Sequence, residues 1–159
     1  SIPPGIHSGQ QIRLSGQGDA GEPGGPRGDL FVVIDVADDP MFERDGNNLF
    51  CRVPIGFAQA ALGGDVEVPT LTGPYTLTLS AGTQSGEVIR LSGKGLPDLH
   101  GHRSGDILVQ VIVEVPRKLT SRQKELLREY AESEGKSVLP ERKGFLERLA
   151  KYFANGGKQ

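Results

Sequence analysis

The sequence predicts a mostly β protein: two tandem β-sandwich or barrel-like domains related by an internal repeat, followed by a C-terminal helical segment. Three observations carry this. Glycine and proline are abundant, 23 and 11 in 159 residues, and they separate short apolar runs as turn residues do. The string IRLSGQG at Ile12 to Gly18 recurs without gaps as IRLSGKG at Ile89 to Gly95. After Val115-Pro116 the pattern changes from glycine-rich strands to a helix-forming run. The expected divisions are 1–39 for the C-terminal portion of a first β-domain, 40–116 for a second, and 117–159 for the helical segment and tail.

The repeat extends beyond its core string. Gly5 and Ser8-Gly9 match Gly82 and Ser85-Gly86, Gly28-Asp29-Leu30-Phe31-Val32 matches Gly105-Asp106-Ile107-Leu108-Val109, and Val36 matches Val113. Each copy reads as a turn, a short strand, a glycine-rich loop and a longer strand. Between the copies, Asn48 to Pro54 is a strand candidate. Ile55 to Leu62 suits one or two helical turns presenting Phe57, Ala58, Ala61 and Leu62, stopped by Gly63-Gly64. Strands at Asp65 to Pro69 and Tyr75 to Leu79 follow, joined by a turn around Thr72-Gly73-Pro74. The first copy has no such lead-in, and its counterpart is expected upstream of Ser1; the start at Ser1-Ile2-Pro3-Pro4-Gly5 reads as the middle of a longer protein. Beyond Pro116, Ser121 to Glu134 is a helix with Thr120 and Gln123 as a capping box, Leu126, Leu127, Tyr130 and Ala131 as an apolar stripe, and Gly135 as its stop. A second amphipathic segment, Glu141 to Phe153, carries Phe145, Leu146, Leu149, Tyr152 and Phe153 on one side, and the last five residues are expected to fray.

Composition narrows the function. Eighteen basic and 20 acidic residues are interspersed, giving a formal charge of -2, so the basic stripe that phosphate backbones require is missing and nucleic acid is a poor partner. No run approaches the roughly 18 apolar residues of a membrane span, and the first residues lack the character of a signal peptide. A membrane role is not expected. The single cysteine, Cys51, rules out an internal disulfide framework and fits a reducing cytoplasm.

The motifs that suggest chemistry have simpler readings. Gly16 to Gly21 matches GxGxxG, but a dinucleotide site needs a helix to begin there, and Pro23-Gly24-Gly25-Pro26 forbids one. His7, His100 and His102 lack a cysteine partner nearby in sequence. The carboxylates Asp98 and Asp106 share a glycine-rich loop with the last two histidines, so an exposed loop is the default reading there. No GxSxG elbow, Cys-His pair or defensible carboxylate pair is present, so the chain is not read as an enzyme. The recurring Gly28-Asp29 and Gly105-Asp106 pairs are assigned to turns in which the carboxylate accepts local backbone hydrogen bonds. In Leu30 to Val36 both faces are partly apolar; either both are covered, or one offers a groove to an extended apolar partner.

Taken together, IPPG, the two IRLSG(Q/K)G strings each followed by a Gly-Asp strand, PMFERDGNNL (Pro40 to Leu49) and AALGGDVEVPTLTG (Ala60 to Gly73) closely resemble the C-terminal region of bacterial DnaJ-type J-proteins of the zinc-containing class. The resemblance covers Ile2 to about Glu134, and GFLERLAKYF (Gly144 to Phe153) is similar to the end of bacterial members. It implies two tandem β-domains and a helical dimerisation element. It also implies a cochaperone that holds unfolded client polypeptide in a shallow groove of the first β-domain, passes it to a DnaK-type chaperone and works as a cytoplasmic homodimer. On this resemblance Val32 lines the client pocket, with Leu14, Ile12 and Leu30 as its neighbours. Dimerisation is assigned to Phe145, Leu146, Leu149, Tyr152 and Phe153, supported by Leu126, Leu127 and Tyr130.

The J-domain with its His-Pro-Asp tripeptide and the CxxCxGxG zinc repeats are not in this sequence. Zinc is therefore expected in the full-length parent, and no cofactor in this chain. Four alternatives are weighed: a structural or dimerisation β-module with no client groove of its own, a last helix that folds back on its own second β-domain, an enzyme acting on small molecules, which lacks any convergent acid, base or nucleophile, and carbohydrate binding. The absence of tryptophan and the three tyrosines argue against the last.

Overall fold

The computed structural model describes residues 2–99, 101, 103–134 and 139–154. It is mostly β, with eight strands and three helices among the described residues. Two compact units are present, Ser1–Val115 and Pro116–Gln159.

In the first unit, β1 (Gln11–Leu14) pairs antiparallel with β2 (Leu30–Val33) as a two-stranded sheet. A four-stranded sheet follows in the order β3-β4-β8-β7, from β3 (Glu43–Asp45), β4 (Asn48–Gly56), β7 (Val88–Leu91) and β8 (Ile107–Glu114). Its centre is the parallel pairing of β4 with β8, in register from Leu49↔Ile107 to Gly56↔Glu114. The hairpin of β5 (Gly64–Thr70) and β6 (Gly73–Leu79) lies between them in sequence, after the short α1 (Phe57–Leu62).

Strand alternation decides what is buried. On β4, Leu49, Cys51, Val53 and Ile55 point to one face; on β8, Ile107, Val109 and Val111 do the same. These join Leu91 of β7, Ala60 of α1 and Val68, Leu77 and Leu79 of the hairpin in one core. Ile55 was expected to open the helix. It belongs to β4 instead, because its side chain completes that buried row; the strand runs on to Gly56, and α1 begins at Phe57. The helix turns Ala60 inward while Leu62 is exposed, so its core contribution is one small residue. Gly63, at φ 76°, donates its N–H to Gln59 O and ends α1; a Cβ there would come within 2.8 Å of Leu79 O. Pro54 is tolerated inside β4 because β3 pairs only with Asn48 to Phe50 and leaves the rest of that edge without a ladder partner among the described residues.

Strand β3 was not anticipated, although Asp45-Gly46-Asn47-Asn48 is the two-residue hairpin signal that makes it, with Gly46 at φ 59°. The β5–β6 tip lies at Leu71-Thr72, earlier than expected, because Thr70 pairs with Gly73 and its hydroxyl donates to Gly73 O at 2.6 Å.

The second unit holds α2 (Ser121–Ser133) and α3 (Pro140–Ala154). The capping box is present: Gln123 N–H donates to Thr120 Oγ1 at 3.2 Å, and Thr120 N–H donates to Gln123 Oε1 at 2.8 Å. Gly135, assigned as the helix stop, lies outside the described residues. Gly144 sits inside α3 with nothing within 4 Å of the position a Cβ would take. Gly144→Ala is therefore expected to stabilise α3 by about 0.5–1 kcal/mol. In native-state hydrogen exchange this reads as roughly two- to fivefold slower exchange of the α3 amides.

Candidate functional site

The repeat is a repeat of hydrogen bonds. Seventy-seven positions apart, Asp29 accepts from Gly16 N–H at 2.9 Å and Asp106 accepts from Gly93 N–H at 2.8 Å; each aspartate also pairs with an arginine, Arg13 or Arg90. Val36 N–H donates to Ser8 Oγ as Val113 N–H does to Ser85 Oγ, and Gly18 and Gly95 both donate across their loop to Gly28 O and Gly105 O. The two aspartates thus hold the turn after the first strand of each copy; they are structural, but their bonds reach across 13 residues to that turn instead of the local backbone bonds expected at the strand entry. The Gly16 to Gly21 loop crosses from β1 towards β2 with no helix after it, so its backbone N–H groups have no helix terminus to join.

Equivalent strands have different surroundings. In β1–β2 the register Ile12↔Val32 and Leu14↔Leu30 places all four on one face, with Phe31 and Val33 on the other. Their counterparts in the second copy, Ile89, Leu91, Ile107 and Val109, face the core, and Ile107 and Val109 are fully buried. In the first copy Leu14 and Leu30 remain 41% and 43% exposed, while Ile12 and Val32 are half-buried. Phe31 and Val33 on the opposite face are more exposed still, at 58% and 62%. The difference comes from β4, which lies along the whole of β8; β2 has no strand on that side among the described residues. The regular strand consequently ends at Val33 instead of Val36. Ile34 still exchanges backbone bonds, donating to Gln10 O and accepting from Gly9 N–H.

The remaining candidates are dispersed. His7 lies where the two copies meet, with Arg44 Nη2 at 3.2 Å from its Nδ1, while His100 and His102 lie outside the described residues. No group of three or more His, Cys, Asp or Glu side chains is placed to hold a metal among the described residues. Cys51 is buried in the core, and that burial pushes its thiol pKa up, away from the reactive thiolate.

In the second unit, at about 100° per residue, Phe145, Leu146, Leu149, Tyr152 and Phe153 fall within an arc of about 120° on α3. All five are exposed, Phe153 by 70%, and the Tyr152 and Phe153 rings meet edge to face at 5.6 Å. Leu126, Leu127 and Tyr130 of α2 are also exposed. A shallow groove beside the end of α2 has Leu139, Leu146 and Ala150 as its apolar lining and Arg142, Lys143 and Glu147 around it.

Residues 1–116 match the family model described as the DnaJ C terminal domain. The chain belongs to the DnaJ C-terminal family. Residues 122–154 match a second DnaJ model, described as the Chaperone protein DnaJ C-terminal region, so both units carry DnaJ sequence. A Chaperone protein DnaJ from Protochlamydia amoebophila (strain UWE25) is 49% identical over 154 residues, which is 96% of this chain. The chain spans about 40% of the length of that DnaJ relative. This places the resemblance read from IPPG, the IRLSG strings and the α3 sequence on direct similarity to a chaperone family. No helix is long and apolar enough to cross a membrane among the described residues.

Proposed function

We propose that this chain binds extended apolar segments of unfolded polypeptide on the face formed by Ile12, Leu14, Leu30 and Val32. We also propose that it self-associates through α3 and that, within a longer protein, it serves a DnaK-type chaperone in the cytoplasm. It acts by holding, not by catalysing a covalent step. Zinc belongs, on this reading, to another part of the parent, since the one cysteine of this chain is committed to the core.

What supports the client-binding reading is the match of residues 1–116 to the DnaJ C terminal domain, together with the shared apolar face of Ile12, Leu14, Leu30 and Val32. Their exposure adds nothing, because the counterparts of the elements that cover this face in the second copy are expected upstream of Ser1. In the second copy the equivalent face packs against a layer of branched aliphatic side chains, which is the chemistry a client Leu or Ile would supply. Burying one or two client Leu or Phe side chains gains roughly 1.5–3 kcal/mol each before ordering costs, which corresponds to weak and readily reversible binding. A chaperone that must release many clients needs such weakness. Two faces on one dimer would restore avidity through effective concentration.

The same comparison also favours a structural reading, in which the face is simply a packing surface. Titration of a labelled, permanently unfolded apolar peptide separates the two by fluorescence anisotropy. Saturable binding in the high micromolar range, lost in Val32→Asp, is the expected result; Val32 is half-buried on the open face, so the added carboxylate faces the peptide. No saturation with the unaltered chain would sink the client-holding reading.

A further inference from the structure

Where the first copy meets the second, a groove of about 870 Å³ opens between residues 7–8, 36–46 and the tip of the β5–β6 hairpin. Its size is that of a ligand pocket for several side chains. We propose that this junction groove is a second polypeptide-docking site, selective for an extended segment in which Leu or Phe is flanked by Lys or Arg. The proposal deepens the client-holding reading and rests on it, but it places binding on different residues.

The floor is apolar. Val36, Phe42 and Leu71 line it, and Leu71 is 49% exposed at a hairpin tip, where nothing in the second β-module requires a leucine for its own core. The rim is acidic, with Asp38, Asp39 and Glu43 as the lining carboxylates. Arg44 is the only lysine or arginine of the lining; its donors are taken by neutral backbone carbonyls, so it keeps its positive charge against the three carboxylates of the lining. It donates from Nε to Gly46 O, from Nη1 to Ile6 O and from Nη2 to Gly5 O, tying the start of the first copy to β3. Asp39 Oδ1 accepts from the N–H groups of Met41 and Phe42, which fixes the loop, while Glu43 reaches Arg52 at 3.1 Å on the solvent side. Asp38 has no ion-pair partner among the described residues. An apolar floor inside a carboxylate rim repels nucleic acid and anionic lipid headgroups, and it attracts a cationic, apolar peptide.

The test compares two labelled unfolded peptides by anisotropy, one with a Leu-Phe pair between lysines and one with those lysines replaced by serine. Three variants of the full chain are used: Asp38→Asn with Glu43→Gln, Leu71→Ser, and Val32→Asp. All three sit at exposed or half-buried positions, and thermal unfolding confirms that each is folded. The carboxylate variant is expected to weaken the lysine-flanked peptide about three- to tenfold at low salt, with little change for the neutral peptide. The difference should collapse at about 0.5 M salt, where the screening length falls to a few ångströms. Leu71→Ser should weaken the lysine-flanked peptide as well. Equal affinity for the lysine-flanked peptide in the unaltered chain and in both groove variants would overturn the proposal, whatever Val32→Asp does. Loss in the groove variants with Val32→Asp silent would keep the groove and sink the β1–β2 site instead.

Discussion

Gly105→Ala is expected to destabilise the second β-module by about 1–3 kcal/mol or more, while the equivalent change in the first copy, Gly28→Ala, leaves stability almost unchanged. The reason is space. A Cβ on Gly105 would overlap the Asn47 carbonyl and come within 2.9 Å of Asn48 N, both backbone atoms of the β3–β4 turn. That turn is pinned from two sides, since Asn48 Oδ1 accepts from Asp106 N–H at 2.9 Å and Asn47 O accepts from Leu96 N–H at 2.9 Å. The clash cannot be relieved without separating β4 from β8, and overpacking of this kind costs about 1–3 kcal/mol or more, a large part of a marginal total. On Gly28 the nearest atom to a new Cβ is Asp19 O at 3.7 Å, an ordinary contact. Chemical denaturation of both variants measures the contrast. Equal losses at the two glycines would mean that the β3–β4 turn does not press on Gly105.

The second large effect concerns assembly. Leu149→Asp combined with Phe153→Asp is expected to halve the molar mass measured by light scattering. The two side chains lie within the exposed α3 arc, Phe153 the more open of the two, so charging them opposes association, and thermal unfolding checks that the partly covered Leu149 position tolerates the change. Five such side chains buried per protomer contribute on the order of 10 kcal/mol, comparable with the roughly 4–15 kcal/mol cost of association, so two charges are enough to tip the balance. A mass unchanged by the double substitution, whether that of a monomer or of a dimer, would exclude this stripe as the dimer contact.

The sequence disclosed what is local or duplicated. Thr120 and Gln123 were legible as a capping box because all the partners lie within one turn, and Asp29 and Asp106 as structural because both copies carry them, although their bonds to Gly16 and Gly93, 13 residues away, are not the local ones expected. What depended on a neighbour was not legible. Leu30 to Val36 and Ile107 to Val113 have the same pattern, yet β2 spans four residues and β8 eight, because a strand lengthens when another lies beside it. Ile55 was misread for the same reason, its place in β4 being set by Val113 opposite. The four residues assigned to client contact do share a face, which period-two spacing within each strand foretold. Phe31 and Val33, more exposed on the other face, stood out less because the strand was apolar throughout. The junction groove was invisible to pattern, since it is assembled from four segments far apart in the chain.

The parallel pairing of β4 with β8 has a consequence during synthesis. Its partners are 58 residues apart, as in Leu49↔Ile107. At roughly 5–20 residues per second, β4 leaves the ribosome about 3–12 s before the strand that completes its sheet. The β1–β2 hairpin and the β5–β6 hairpin can close locally in microseconds, but Leu49, Cys51, Val53 and Ile55 must wait uncovered. For that interval the nascent chain displays the kind of extended apolar strand that its finished form is proposed to hold for others.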